Sequence, residues 1–228
     1  MLLSQKQYFL TPKGTAKMAD TAALENSSKI RTARQSPAAL LRAAFEAGSS
    51  QGIAELRELP FQTMVGIRVD PGTEAGNRVA AVLGGLPDRC GEVRGNGSLT
   101  VLWQGPAEFL VIAPDTAHDS LGGDLIQALQ ESLADGAGQV VDLSANRTTF
   151  ELNGPRARDV LEKGCALDLH PRILKAGTAL STEIGNIPAI LWKTEDEAYQ
   201  VFPRASFAHF LGLWLLDAMR EYSSPAVP

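Results

Sequence analysis

The chain has 228 residues, of which 44% are hydrophobic and 21% charged, and a net charge of −5. It is long enough to bury a full core as one large domain or two small ones, with the composition of an ordinary globular protein. The acidic balance, without a clustered basic face, argues against nucleic acid as a partner.

No apolar run approaches the ~20 residues of a membrane span. Cys90 and Cys165 stand alone without CxxC or CxH spacing, which fits a reducing compartment and argues against structural zinc. The N-terminal MLLSQKQYFLTPKGTAKM lacks a sustained apolar core and a small-residue cleavage site, so no secretory signal is read and a cytoplasmic location is expected. Met18 offers a second start.

In chain order, residues 1–54 read as an N-terminal tail and arm. Residues 1–36, rich in Ser, Thr, Ala, Lys and Gln, are either a mobile tail or an arm ordered against another subunit. Pro37–Ala47 has a helical pattern with proline at its start and Gly48 at its close. Glu55–Thr63 leads into the first of two matching units. Leu40, Leu41 and Phe45 have no evident home in either unit. They suit a partner-clasping arm or packing on the chain's own domain.

The first unit is a strand (Met64–Val69), a turn at Asp70–Gly72 and a helix towards Leu83. LTVLWQGPAEFLVIAP follows from Leu99, a hairpin with a polar break at Gln104–Glu108, and then helix-period sequence over Asp119–Leu133. Gly136–Gly138 separates the units. The second has a strand at Val140–Ser144, another at Thr148–Leu152, a turn at Asn153–Pro155 and a helix to Lys163–Gly164. The hairpin AILWKTEDEAYQVFP and the helical SFAHFLGLWLLDAMREY complete it. Pro155 suits a first helical turn and Gly164 a C-terminal cap. Trp103 and Trp192 take matching places, as do Pro114 and Pro203. The pattern predicts an α+β fold over residues 55–222, of duplicated strand–helix–hairpin–helix halves at about 60–137 and 138–222. Residues 223–228 read as a tail.

Few residues suggest chemistry. Asn96–Gly97 reads as a two-residue turn. Glycines 91, 95 and 97 precede a strand rather than a helix, which argues against a phosphate loop and for a tight turn. His118, His170 and His209 lack ligand spacing. Ser98, Ser144 and Ser206 lack a nucleophile elbow or a recognisable base. Glu195-Asp196-Glu197 reads as a solvated hairpin turn, and Asp142 and Ser144 suit local turn hydrogen bonds. Arg147, at a strand edge, is either a solvated or salt-bridged residue or one with a ligand or interface role. Phe207, Phe210, Leu211, Trp214 and Leu215 recur at helix spacing, as core or as a face continuing into an interface. The sequence therefore assigns no catalytic, cofactor-binding or metal-ligating residue.

The runs DLSANRTTFELNGPRARDVLEKGCALDL, GTALSTEIGNIPAILWK and EAYQVFPRASFAHFLGLWLLDAM, in that order, resemble the folate-binding glycine-cleavage T-protein superfamily. Within it, the small size and the leader ELRELPFQT resemble the gamma-subunit family of heterotetrameric sarcosine oxidases, over roughly residues 55–222. The resemblance implies an assembly of alpha, beta, gamma and delta subunits that demethylates sarcosine with oxygen to glycine and hydrogen peroxide. The one-carbon unit passes to tetrahydrofolate or leaves as formaldehyde. It further implies that FAD, FMN, NAD and tetrahydrofolate sit on other subunits, that this chain binds none, and that its part is assembly and structure. T-protein relatives carry a carboxylate in the hairpin strand matching Gly185–Ile190. Here stand Asn186, Ile187, Pro188 and Ala189, which supply no acid–base chemistry. Lys163-Gly164-Cys165 matches only the start of a reactive-cysteine motif of another relative, so Cys165 reads as structural. The alternative reading is a stand-alone folate-binding one-carbon transfer protein.

Overall fold

A computed structural model describes residue 29 and residues 32–223. The expectations for residues 1–28, including the second start at Met18, and for residues 224–228 lie outside the described residues. A 3-10 turn (Ala39–Leu41) leads into α1 (Arg42–Gly48), followed by β1 (Glu55–Leu59), β2 (Thr63–Val69) and α2 (Glu74–Leu83). Next come β3 (Val93–Asn96), β4 (Leu99–Gly105), β5 (Glu108–Ala113), α3 (Leu125–Leu133) and β6 (Gly138–Asp142). The remainder is β7 (Thr149–Asn153), α4 (Ala157–Glu162), β8 (Thr178–Ile184), β9 (Ile187–Glu195), β10 (Ala198–Pro203) and α5 (Ala208–Ser223).

Alternation along the strands builds four layers. Val65, Ile67, Val101, Phe109 and Val111 face α2 and α3, which contribute Val79, Leu83, Ile126 and Leu129. Phe150, Leu152, Leu191 and Val201 face α1, α4 and α5, which contribute Phe45, Val160, Leu161, Leu211 and Leu215. The intervening residues Met64, Leu102, Leu110 and Ile112 meet Ala179, Ile190 and Phe202 in a core between the sheets. All pairings are antiparallel, in the orders β3-β4-β5-β2-β6 and β8-β9-β10-β7-β1.

The α+β class is as expected, but the unit is not strand–helix–hairpin–helix. A three-stranded meander replaces each hairpin, because Val93–Asn96 and Thr178–Ile184 add an outer strand. The edge strands are also exchanged. β1 precedes β2 in sequence yet pairs with β7 (Leu56 opposite Leu152), while β6 precedes β7 yet pairs with β2 (Gly66 opposite Val141). Leu41 and Phe45 have a home after all. They are buried against α5 and the second sheet, with Phe45 edge-on to Phe150 at 5.6 Å.

The register corrects the pairing of the tryptophans. Gly105–Glu108 and Glu195–Ala198 close the two hairpins. Trp103 stands two residues before its closing pair and Trp192 three. A one-residue offset reverses the face, so Trp103 packs towards α2 and α3 and Trp192 towards the central core. The β3–β4 turn is also shifted. Asn96 pairs with Leu99, leaving Gly97–Ser98 as the central residues, with Gly97 at φ +62°. That suits a turn with glycine first.

The helix expected from Asp119 begins at Leu125. Gly122 turns left-handed, and Gly123 approaches Ala117 so closely that a Cβ would lie 2.2 Å from its carbonyl carbon. Asp119 still serves α3: its carboxylate oxygens accept the Ile126 and Gln127 N–H groups at 3.1 and 3.0 Å. Pro155 lies outside α4, and Gly164 is no left-handed cap. A Cβ there would meet the Trp214 ring at 2.5 Å.

Candidate functional site in the cleft between the sheets

Two cavities open beside the central core, and Arg147 lines both. The first, about 320 Å³, has an apolar floor of Gly66, Leu110, Val141, Leu143 and Ile190, with the Arg68–Glu108 ion pair at its rim. A Cβ at Gly66 would lie 2.7 Å from Leu143 Cδ1, so a larger residue there would push the Leu143 side chain aside. The second, about 280 Å³, is lined mostly by polar residue types, among them Arg34, Asp115, His118 and Asp142, together with Phe61.

Its charged groups are paired among themselves. Arg34 Nη1 and Nη2 donate to Asp115 Oδ1 and Oδ2 at 2.7 and 2.6 Å, a bidentate fork that raises the guanidinium pKa further. The same guanidinium lies 4.4 Å above the Phe61 ring, and Phe61 is held at φ +61°, a left-handed conformation that costs an aromatic residue energy. His118 Nδ1 accepts the Ser120 N–H at 3.1 Å, so Nε2 carries the proton and donates to Asp142 Oδ2 at 2.9 Å. Partial burial works to raise the Asp142 pKa, but the Ser144 hydroxyl and N–H, with His118, outweigh it and hold the carboxyl below its usual range. Ser144 Oγ in turn accepts the Met64 N–H at 3.1 Å, so this cluster fastens the end of β6 to β2.

Arg147 differs. Its Nη1 donates to the Phe202 carbonyl at 2.8 Å, and its backbone bridges to Arg204. No ion pair joins Arg147 or Arg204 to a carboxylate among the described residues. Burial, and then the charge of Arg204, lower its pKa.

Acid–base catalysis needs a group able to release or take a proton near neutral pH. Asp142 is held ionised, Asp115 is spanned by Arg34, and the His118 nitrogen nearer Ser120 already accepts that residue's own N–H. In the Ser120–His118–Asp142 string, His118 Nδ1 meets both the Ser120 N–H and, at 2.8 Å, the Ser120 Oγ, and the string closes the turn at 119–121. The hairpin strand singled out in the sequence adds nothing acidic. Gly185 (φ +57°) and Asn186 (φ +64°) form the tight turn between β8 and β9. Ile187 and Ala189 are buried, and Pro188 faces the exposed Glu183 away from both cavities.

Cys165, partly buried, bridges to Ile184 and lies 3.8 Å from Thr182 Oγ1. His170 and His209 are exposed and sit apart from His118, in the loop after α4 and on α5. No group of three His, Cys, Asp or Glu among the described residues is arranged for a metal. Glu195-Asp196-Glu197 is exposed as expected. Behind it Lys193, only 1% exposed, donates to the Leu174 carbonyl at 3.2 Å and lies 3.9 Å from Asp196. Sequence reasoning missed Lys193, although a lysine closing the apolar run AILWK signals it. For Arg34 and Phe61 the sequence carries no signal, because their partners are distant.

Two antiparallel sheets packed face to face, with helices outside each, define the class of protein first. The fold superposes on the glycine cleavage system aminomethyltransferase T of Bartonella henselae with a TM-score of 0.57 at 16% identity, over 77% of this chain and 49% of that one. That likeness is one of fold alone.

Residues 70–221 match the model of the sarcosine oxidase gamma subunit family, and the chain belongs to that family. It is 45% identical over 212 residues to the sarcosine oxidase subunit gamma of an Arthrobacter species, and 43% identical over 212 residues to that of Corynebacterium sp. strain P-1. Each alignment takes in 92% of this chain and 100% of the relative. Among solved structures, it matches a chain of the heterotetrameric sarcosine oxidase from Corynebacterium sp. U-96, in complex with pyrrole 2-carboxylate. The TM-score is 0.79 at 43% identity, over 86% of this chain and 99% of that one. The family is the one the sequence resembles, and its enzyme is an oxidoreductase.

Proposed function

We propose that this chain is the non-catalytic gamma subunit of a heterotetrameric, flavin-dependent sarcosine oxidase, acting in assembly and structure. The observation that carries this reading is the cleft. Its carboxylates are tied to Arg34, to Arg68, and to His118 and Ser144, and Asn186–Ala189 supply none. These residues do not fit an acid–base role beside a folate or flavin. The partners would be alpha, beta and delta subunits, which would carry FAD, FMN, NAD and tetrahydrofolate. The assembly would oxidise sarcosine to glycine with reduction of oxygen to hydrogen peroxide, the one-carbon unit leaving as formaldehyde or as methylene-tetrahydrofolate, in the cytoplasm. No helix of the described residues is long and apolar enough to cross a membrane. Residues 60–137 and 138–222 would be duplicated halves, a reading supported by the matching strand orders of the two sheets.

The apolar floor of the larger cavity beside the carboxylate-free Arg147 favours one second reading, a stand-alone folate-binding one-carbon transfer protein. Tagging the full chain in cells that express all four subunits separates the two. The expected eluate is yellow, contains three companion chains and forms peroxide when sarcosine is added, whereas the chain purified alone is colourless and indifferent to tetrahydrofolate. Micromolar tetrahydrofolate binding by the chain alone, with no companions recovered, overturns the subunit reading.

A further inference from the structure

Helix α5 runs 16 residues, and apart from the exposed His209 its first turns carry apolar residues on both sides. Ala208, Leu211 and Leu215 are buried on the second sheet. On the outside stand Phe210 (54% exposed) and Leu213 (46%), preceded by Phe207 (38%) in the 3-10 turn that opens the helix. Trp214 continues the stripe, half-buried across Gly164 and Gly185. Outward polar residues of the helix are His209 in its first turn and Asp217, Arg220 and Glu221 in its last turns. Leu40, 81% exposed, belongs to the turn whose next residue, Leu41, packs on Gly212 of the same helix.

The helices over the first sheet are built differently. Glu74 and Asn77 on α2 and Gln127, Gln130 and Glu131 on α3 are polar and exposed. Single exposed apolar residues need no explanation, whereas several on one helix face mark an interaction surface.

The charges beside the stripe say what kind of surface covers it. Arg204 lies three residues ahead of Phe207, whose N–H donates to the Arg204 carbonyl at 2.9 Å. It stands opposite Arg147, and like charges so placed repel. Neither arginine has a carboxylate within ion-pair distance among the described residues. Arginine and phenylalanine together are also the residues enriched at the centre of protein interfaces.

We infer that the outer face of α5 is the docking surface for another subunit of the oxidase, which presents an apolar patch carrying an aspartate or glutamate opposite Arg204. This rests on the subunit reading above. A photo-crosslinking phenylalanine analogue at position 210, and separately at position 130 on α3, is introduced into the full chain expressed with the other subunits. The expected result is a crosslink to a larger subunit from 210 and none from 130.

In parallel, Phe210→Glu and Arg204→Glu are each expected to cut recovery of the companion subunits at least tenfold. Gln130→Glu is expected to leave recovery unchanged. All three positions are exposed, and thermal melts of the variant chains check that they remain folded. A crosslink from 210 to a second copy of this chain, or full recovery with Phe210→Glu, overturns the docking surface while leaving the subunit reading intact. Failure of the unaltered chain to recover any companion overturns the subunit reading, and with it the partner inferred here.

Discussion

Glu92 Oε2 accepts the Asp88 N–H at 2.8 Å, Oε1 accepts from Arg94 Nε at 2.9 Å, and the backbone bridges to Thr178 of the opposite sheet. The Asp88 N–H, opposed by desolvation and aided by Arg94, draws its pKa down to about 2. Because the folded pKa lies below the unfolded value of about 4.3, the stabilisation is fully present above that pH and is lost as pH falls towards the folded value. Glu92→Gln is expected to cost about 1 kcal/mol at pH 7, or about 2–4 °C in Tm for a chain of this size. It should also flatten the loss of Tm between about pH 4.3 and 2. Thermal melts across that range check this. An acid profile identical to the parent's shows that Glu92 does not anchor the loop. None of this is legible in LPDRCGEVRGNGSLT, because the glutamate's partners depend on how the loop folds back.

The β8–β9 turn carries two demands at the scale of elements. Gly185 must be left-handed to close the hairpin, and it must lack a side chain because a Cβ would lie 2.9–3.1 Å from the Trp214 indole. Gly185→Ala fails both and is expected to cost about 2–4 kcal/mol. Gly185→Asn keeps the turn conformation that asparagine tolerates but still meets Trp214, and is expected to cost about 1–3 kcal/mol. Urea unfolding of both variants separates the effects: equal losses show that backbone conformation carries nothing, and a neutral asparagine shows that the Trp214 contact carries nothing. The sequence pattern places Gly185–Ile190 in a hairpin strand, and the turn emerges only from the pairing of β8 with β9. The reason Gly164 is glycine was not legible either, because the side chain that requires it belongs to a helix about fifty residues later.

Edge-strand exchange governs the molecule as a whole. Residues 138–222 alone lack β1 and α1, and with them the buried Leu41, Phe45 and Leu56. Residues 60–137 alone lack β6. Each lost apolar side chain removes about 1.5–3 kcal/mol of burial from a stability of only about 5–15 kcal/mol. Neither fragment is expected to unfold cooperatively when expressed alone, whereas the full chain is expected to show one transition. Circular dichroism melts check this. A cooperative melt from either fragment shows that the exchanged strand is dispensable.

The sequence by itself determined the kinds of element, most of their positions and the family resemblance, because alternation, helix spacing and turn residues are local. It misjudged Trp192, since parity along a strand is counted from a hairpin closure that only pairing fixes. The tertiary structure alone decided which sheet receives β1 and β6, where Leu41 and Phe45 are buried, and that Arg34 reaches Asp115 81 residues away. It also left Phe210 and Leu213 outside a helix whose apolar residues all looked alike in sequence. These outcomes depend on contacts between distant segments, where one strand pattern suits either sheet and only simultaneous burial of both helix layers selects the arrangement.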